Sequence, residues 1–141
     1  MSSERRGYPR AKLKWPVTIK TEEGSTEGVT RNITPDGCFI SCRRPLRLNV
    51  VFALVIKIPN SKSSIEAEAE VVWSNIYGPD DEITPRGMGV RFLKIGSEMR
   101  KFIAKTALEY FKAKDIESDL IETLNTLVID LSAEKKKVPG E

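Results

Sequence analysis

Two short groups of side chains in this chain have the chemistry to hold a phosphorylated purine. Arg6 and Arg10 lie in a basic segment near the N-terminus, and Asn32, Thr34 and Gly37 follow within the sequence Asn-Ile-Thr-Pro-Asp-Gly. A guanidinium fork bonds a pair of phosphate oxygens or the O6/N7 edge of guanine, and an amide and a hydroxyl form hydrogen bonds with a base. The pairing of the two groups, more than either alone, predicts a site for a ligand that carries both phosphate and purine.

Residues 1–14 are assigned as a basic arm that attracts anions. In isolation such a segment is equally typical of a solvated tail, and the polar turn downstream favours ligand binding instead. Tyr8 precedes Pro9 and is therefore biased towards extended backbone, which partly presets the arm. The only acid in the arm is Glu4, and its bases are Arg5, Arg6, Arg10, Lys12 and Lys14.

Length and composition predict one soluble globular unit with an appendage. The chain has 141 residues, of which 40% are hydrophobic and 30% are charged, and its formal net charge is +3. The longest apolar stretch, Val50 to Ile56, is the length of a strand and far shorter than the roughly 20 residues that cross a bilayer. The N-terminus lacks the apolar core of a secretory signal, so we expect no membrane span and a cytoplasmic protein.

The residue types argue against an enzyme. The chain contains no histidine, which removes His-based metal sites and the usual activation of a Ser or Cys nucleophile. Cys38 and Cys42 are too far apart along an extended strand to form a disulfide, so we interpret both as small buried hydrophobic residues. We expect no catalytic site and no metal.

Six strands are predicted from alternation of apolar and polar residues and from turn signals. The run from Val50 to Ile58 is apolar at nearly every position and predicts a strand buried on both faces, and Trp73 keeps phase with the buried face of its strand and is assigned to the core. No helical segment interrupts the series, which favours an antiparallel barrel or sandwich. The predicted strands are Trp15–Lys20, Glu27–Ile33, Cys38–Cys42, Val50–Ile58, Ile65–Trp73 and Gly87–Phe92.

The segment 97–133 is predicted to be helical, as one long helix or two consecutive ones, because it lacks glycine and proline. Ser97 is expected to cap the first helix, and an apolar face that includes Phe102 and Tyr110 is expected to cover the barrel. Leucines recur further on at coiled-coil spacing, which predicts either a homo-oligomer or a helix that folds back on its own domain. Residues 134–141 are expected to be a disordered tail. The leucines are Leu120, Leu124, Leu127 and Leu131.

Three sequence elements together resemble the PilZ domain of bacterial cyclic di-GMP receptors. The family pattern is an Arg-x-x-x-Arg arm, an Asp/Asn-x-Ser-x-x-Gly turn and a late glycine-bearing strand. The resemblance implies a mainly β protein, a six-stranded antiparallel β-barrel over 15–96 followed by helix. Here the elements are Arg6-x-x-x-Arg10, Asn32-x-Thr34-x-x-Gly37 and Gly87-Met88-Gly89-Val90-Arg91-Phe92.

The resemblance implies a signalling module that binds cyclic di-GMP and changes its arm conformation and the surface it offers to an effector protein. Thr34 replaces the usual Ser; it keeps the hydroxyl and adds a methyl group that either crowds the ligand or leaves it untouched. Two alternatives stay open: a PilZ-like interaction or assembly domain that has lost the ligand, and a small basic barrel that binds single-stranded nucleic acid. The second is disfavoured by the few aromatic residues near the arm. The predicted ligand-binding residues are Arg5, Arg6, Arg10, Asn32, Thr34, Gly37 and Gly89.

Overall fold

The computed structural model of the chain describes residues 8–76, 78, 86–114 and 118–136. Six strands form a closed antiparallel barrel in the order β1-β2-β3-β6-β5-β4, which confirms the predicted architecture. Two helices follow the barrel in the sequence. The elements are β1 Pro16–Thr21, β2 Gly24–Thr34, β3 Gly37–Ser41, β4 Val51–Lys57, β5 Ser64–Asn75, β6 Gly87–Ile95, α1 Ser97–Ala113 and α2 Ser118–Lys136.

Closure of the barrel depends on β1, which pairs with a strand on each side. Val17 of β1 lies opposite Gly28 of β2 and opposite Ile56 of β4. Each of the six described strands therefore has two hydrogen-bonded neighbours, and none of them leaves an open edge to pair with another chain. The closed wall gives every strand an inner face, where the core lies, and an outer face.

The prediction for β4 is wrong in one respect. We expected a strand buried on both faces, but Phe52, Leu54 and Ile56 are buried while Val51 and Ala53 are exposed. The physical reason is the closed antiparallel barrel, in which one face of each strand lines the interior and the other faces outward. Apolar residues on the outward face do not by themselves indicate burial.

The assignment of Trp73 to the core is also wrong. Val71 lies opposite Val90 in β6, but Trp73 lies opposite Gly89, so β5 advances by two residues while β6 advances by one. This bulge reverses the alternation, and the side chain of Trp73 is 44% exposed on the outer face. A one-residue insertion in the register cannot be inferred from an apolar-acidic alternation that otherwise runs unbroken.

A buried threonine fixes the root of the N-terminal arm to the barrel. Thr30 of β2 is fully buried, and its hydroxyl donates to the Leu13 carbonyl oxygen at 2.6 Å and accepts from the Trp15 amide at 2.8 Å. The Thr30 amide also donates to the Trp15 carbonyl oxygen at 2.9 Å. The segment 13–15 that leads into β1 is therefore fixed beside β2, the strand that carries Asn32.

The helical segment contains two helices that pack against each other. The residue that caps α1 is Gly96, not Ser97 as predicted, and no side chain caps it; Ser97 is the first helical residue. The helix α2 continues to Lys136, beyond the predicted end at 133, and residues 137–141 of the expected tail lie outside the described residues. Among the described helices, none is long and apolar enough to cross a membrane.

Inter-residue contacts divide the chain into two compact units. One contains the barrel, residues 12–33 and 37–95. The described part of the other contains residues 8–11, the turn Thr34–Asp36 and both helices. By its contacts, the turn between β2 and β3 thus belongs with the described arm residues and the helices, and not with the barrel strands that it joins.

Both cysteines are free and buried, as predicted. Burial raises the pKa of the Cys38 thiol from 9.0 to about 12 and that of Cys42 to about 11, where a backbone hydrogen bond from Arg44 opposes the increase. The unfolded chain loses these protons from about pH 9, but the folded protein keeps them, so the free energy of unfolding should fall as pH rises from about 9 towards 12. Because both thiols are buried, we expect slow alkylation of Cys38 and Cys42 in native buffer at pH 8 and rapid alkylation in urea. Equal rates of alkylation in the two conditions would contradict the burial of the two side chains.

Candidate ligand-binding site

The Asn-x-Thr-x-x-Gly sequence forms the hairpin between β2 and β3. Thr34 ends β2, and its hydroxyl accepts a hydrogen bond from the Asp36 amide at 3.0 Å, which closes the turn around Pro35. This bond uses one of the two lone pairs of the hydroxyl oxygen. Asn32 is half-buried and lies on the opposite face of β2 from the fully buried Ile33. The polar residues of the predicted site are therefore held by a strand end and a tight turn.

Arg100, in the first turns of α1, holds this turn in place. Its Nε donates to the Pro35 carbonyl oxygen at 3.3 Å, and its Nη2 lies 2.8 Å from Asp36 Oδ1. The guanidinium is also 6.0 Å from the centre of the Tyr8 ring, within the range of a cation–π interaction. One side chain thus contacts both the turn and the arm residue that lies between Arg6 and Arg10.

Sequence reasoning missed Arg100 because no short-range pattern links it to the turn. An arginine near the start of a helix is ordinarily a solvated residue, and it is placed unfavourably for the helix dipole. Only the fold brings it to Pro35 and Asp36. The presence of an isolated acid at Asp36 was the one available signal.

The cationic residues of the predicted site are only partly described. Arg10 is exposed to solvent. Arg5 and Arg6 lie outside the described residues. Tyr8 is half-buried, in agreement with its contact with Arg100.

Gly37 has a structural role in the packing of two strands. Its backbone is not in the left-handed region, so the turn does not require a positive φ at this position. Instead Gly37 lies opposite Arg91 in β6, and a Cβ added here would overlap the Val90 carbonyl oxygen and come within 2.9 Å of the Arg91 Cα. The glycine is needed because β3 and β6 approach each other closely.

Gly89 lies on the outer face of β6 between two aromatic side chains. It is opposite Phe39 in β3 and opposite Trp73 in β5, and the two rings meet across it with their centroids 5.5 Å apart. An added Cβ would be 3.6 Å from the Trp73 Cβ and 3.8 Å from Phe39 Cδ2, which are ordinary contacts. Gly89 is therefore not required for packing.

The outer face near Gly37 also carries an engaged ion pair. Arg91 Nε donates to Glu70 Oε1 at 2.7 Å, and its Nη2 is 2.6 Å from the same oxygen. Although Arg91 is the cross-strand partner of Gly37, its guanidinium already has an anionic partner. The arm, rather than β6, remains the source of cations that the sequence predicts for the ligand.

Comparison with known proteins identifies the same family as the sequence motifs. A family model described as PilZ domain matches residues 4–107, which include the arm, the turn, the barrel and part of α1. The chain belongs to the PilZ domain family. No curated protein sequence matches the chain.

Among the solved structures that match, that of a motility inhibitor shares the fold. The structure of the inhibitor of motility MotI/DgrA from Bacillus subtilis matches with a TM-score of 0.67 and 20% identity over 78% of this chain, and the chain spans 53% of that protein. The PilZ domain of YcgR from Escherichia coli, solved with c-di-GMP, matches with a TM-score of 0.49 and 13% identity over 95% of this chain and 99% of that one. The PilZ domain of CeSA from a cellulose-synthesizing bacterium matches with a TM-score of 0.48 and 12% identity, over 72% and 96% of the two chains.

Proposed function

We propose that this chain is a receptor module for cyclic di-GMP. Arg6 and Arg10 clamp the phosphates and a guanine edge, and Arg5 adds positive field or a guanidinium plane for stacking. The polar side chains of the β2 end, Asn32 and Thr34, form hydrogen bonds with a guanine. Two glycines complete the proposed site. Gly37 allows the ligand to come close to the hairpin, and Gly89 allows the ligand to come close to β6.

The observation that carries this proposal is the contact of one arginine with both motif segments. Arg100 bonds Pro35 and Asp36 of the turn and faces the ring of Tyr8 in the arm. An arm held close to the turn before the ligand arrives has less conformational freedom to lose on binding. Because ordering a residue costs about 1–2 kcal/mol, this partial organisation raises affinity without adding a ligand contact.

The proposed output is an interaction and not a reaction. When the ligand draws the arm into place, the arm surface offered to an effector protein changes, and no acid, base or nucleophile is required. We propose a cytoplasmic location for this signalling role. The proposal does not extend to a homo-oligomer through the leucine series, because Leu124, Leu127 and Leu131 are already buried in the single chain; the side chain of Leu120 lies outside the described residues.

A titration of the full chain with cyclic di-GMP tests the proposal. Calorimetry should give a saturable isotherm with a moderate affinity, on the order of micromolar, because arm ordering offsets part of the contact energy. Backbone amide signals of residues 5–10 and 32–37 should shift together as the ligand is added. Unchanged amide signals in the first dozen residues at saturating ligand would rule out the clamp.

Arg100 is expected to contribute to affinity by positioning, so Arg100→Met should weaken binding about threefold to tenfold. Asp36→Asn should cause part of the same loss, and the double variant should lose less than the sum of the two because both changes remove one ion pair. Lys105→Met, an exposed change on the same helix, is the matched control and should bind normally. Additive effects of Arg100→Met and Asp36→Asn would show that the pair does not act as a unit.

A further inference from the structure

A concave surface lies at the open end of the β2–β3 hairpin, away from the turn Thr34–Asp36. It encloses about 950 Å³ within the barrel unit. Thr26 and Glu27 line it near the start of β2, whereas Thr34 ends that strand, which places the two ends about 23 Å apart at ~3.3 Å per residue. None of the lining residues that the structure describes belongs to the predicted ligand site. The cavity is lined by Thr26, Glu27, Ser41, Cys42, Arg43, Arg44 and Arg86.

The fold brings the arginines of this cavity together from two distant parts of the sequence. The Cys42 amide donates to the Arg86 carbonyl oxygen at 3.4 Å, so the chain leaving β3 runs beside the residue that precedes β6. Gly28 allows β3 to approach β2 here, since an added Cβ would be 2.9 Å from the Ser41 carbonyl oxygen. Arg43 and Arg44 therefore converge with Arg86 on one cavity.

The orientation of Arg86 is partly set by the protein itself. Its side chain is half-buried, and its Nη2 donates to the Gly78 carbonyl oxygen at 3.2 Å. Arg43 and Arg44 are exposed and retain the rotamer freedom to close on a ligand. The cavity thus combines one positioned guanidinium with two adaptable ones.

The lining has the chemistry of a site for a phosphorylated small molecule. The described lining carries three guanidiniums and one carboxylate, so it is net cationic. Arginine forks bind phosphate oxygens in pairs, and the hydroxyls of Thr26 and Ser41 offer further donors. Glu27 is an acceptor suited to an amino or imino group. The volume lies at the upper end of the range of small-molecule pockets, about 300–1,000 Å³.

We propose that this cavity is a second ligand site, for a nucleotide that places its phosphates on Arg43, Arg44 and Arg86 and a base or amino group at Glu27. The site does not depend on the proposed binding of cyclic di-GMP. It gives the barrel two anion sites, one at each end of the β2–β3 hairpin. The adaptable arginines favour a ligand with several phosphate oxygens over one with a single carboxylate.

Titration of the ¹⁵N-labelled full chain with GTP, ATP and inorganic pyrophosphate, each separately, tests this site. At about 0.15 M salt we expect saturable shifts of the amides of Gly28, Cys42, Arg43 and Arg44, with a dissociation constant below about 1 mM for at least one nucleotide. Arg43→Gln with Arg44→Gln should weaken that binding at least about tenfold. Both residues are exposed, so the double variant should fold, which its amide spectrum checks.

Arg47→Gln is the matched control. Arg47 is exposed in the same connection between β3 and β4 and lines a different depression, with Leu48 and Ser74. It should leave nucleotide binding unchanged, and the Arg43/Arg44 double variant should leave the affinity for cyclic di-GMP unchanged. The proposal is overturned if the shifts grow linearly without saturation, if Arg47→Gln weakens binding as much as the double variant, or if the nucleotides shift only residues 5–10 and 32–37.

Discussion

Arg10→Ala should weaken the binding of cyclic di-GMP at least about tenfold while leaving the barrel folded. A charge-assisted hydrogen bond contributes roughly 1.5–3 kcal/mol, and a loss of about 1.4 kcal/mol corresponds to a factor of ten in the dissociation constant. The side chain of Arg10 is exposed, so its removal takes no packing from the core. Arg6→Ala should have an effect of the same size, because the clamp needs both forks. Calorimetry measures the affinity, and thermal unfolding verifies the fold.

Two further variants separate the fork from simple charge. Arg10→Lys keeps the positive charge and loses the bidentate geometry, so its affinity should fall between those of wild type and Arg10→Ala. Lys12→Ala removes an exposed charge close by in the arm and should change affinity little at about 0.15 M salt. Wild-type affinity in both Arg6→Ala and Arg10→Ala would exclude the clamp. An equal loss in Lys12→Ala would indicate a general field effect instead.

Gly37→Ala should lower the free energy of unfolding by about 1–3 kcal/mol, the usual cost of forcing an extra group into a packed site. The added Cβ overlaps the Val90 carbonyl oxygen, and backbone, unlike the end of a flexible side chain, cannot move away without disturbing the β3–β6 ladder. Gly89→Ala, on the same strand pair, meets only ordinary contacts and should change stability by less than about 0.5 kcal/mol. Denaturant unfolding of the two variants measures the contrast.

The same pair of variants separates packing from ligand contact. If Gly89 lies against the ligand, Gly89→Ala should reduce affinity for cyclic di-GMP in a protein of normal stability. Gly87→Ala is the control for Gly37→Ala, because its Cβ would overlap the Ile40 carbonyl oxygen in the same ladder and Gly87 is not among the predicted ligand-binding residues. Normal stability of Gly37→Ala would contradict the close approach of β3 and β6. Normal affinity of Gly89→Ala would remove Gly89 from the proposed site.

Much of the barrel could be predicted from local patterns. The period-two alternation and the turn residues located all six strands and favoured an antiparallel barrel or sandwich. The family resemblance, and not the alternation, implied the closed barrel. The predictions of burial failed where a local pattern is compatible with either a buried or an exposed side chain. Val51 and Ala53 are apolar and exposed, and Trp73 changes face at a bulge that the sequence does not mark.

The candidate site, like the barrel, could be predicted from the sequence only in part. Residue types and spacing were enough to propose the arm and the turn motif, because the chemistry of a guanidinium or an amide belongs to the side chain wherever it lies. The late glycine was proposed from the family resemblance. Spacing also sufficed for membership of a family whose model covers residues 4–107. The contact of Arg100 with the turn and the convergence of Arg43 and Arg44 with Arg86 required the folded chain.

The amino-acid sequence by itself determined which side chains of this protein have chemistry suited to phosphates and bases, and the order of strands and helices that carries them. The tertiary structure alone decided which face Trp73 occupies, why Gly37 must be a glycine and which arginines meet in a cavity. The physical reason is the distance along the sequence over which each effect acts. Periodicity, turn formation and side-chain chemistry act within a few residues, whereas register and close backbone approach are set by strands that are distant in the sequence and meet only when the barrel closes.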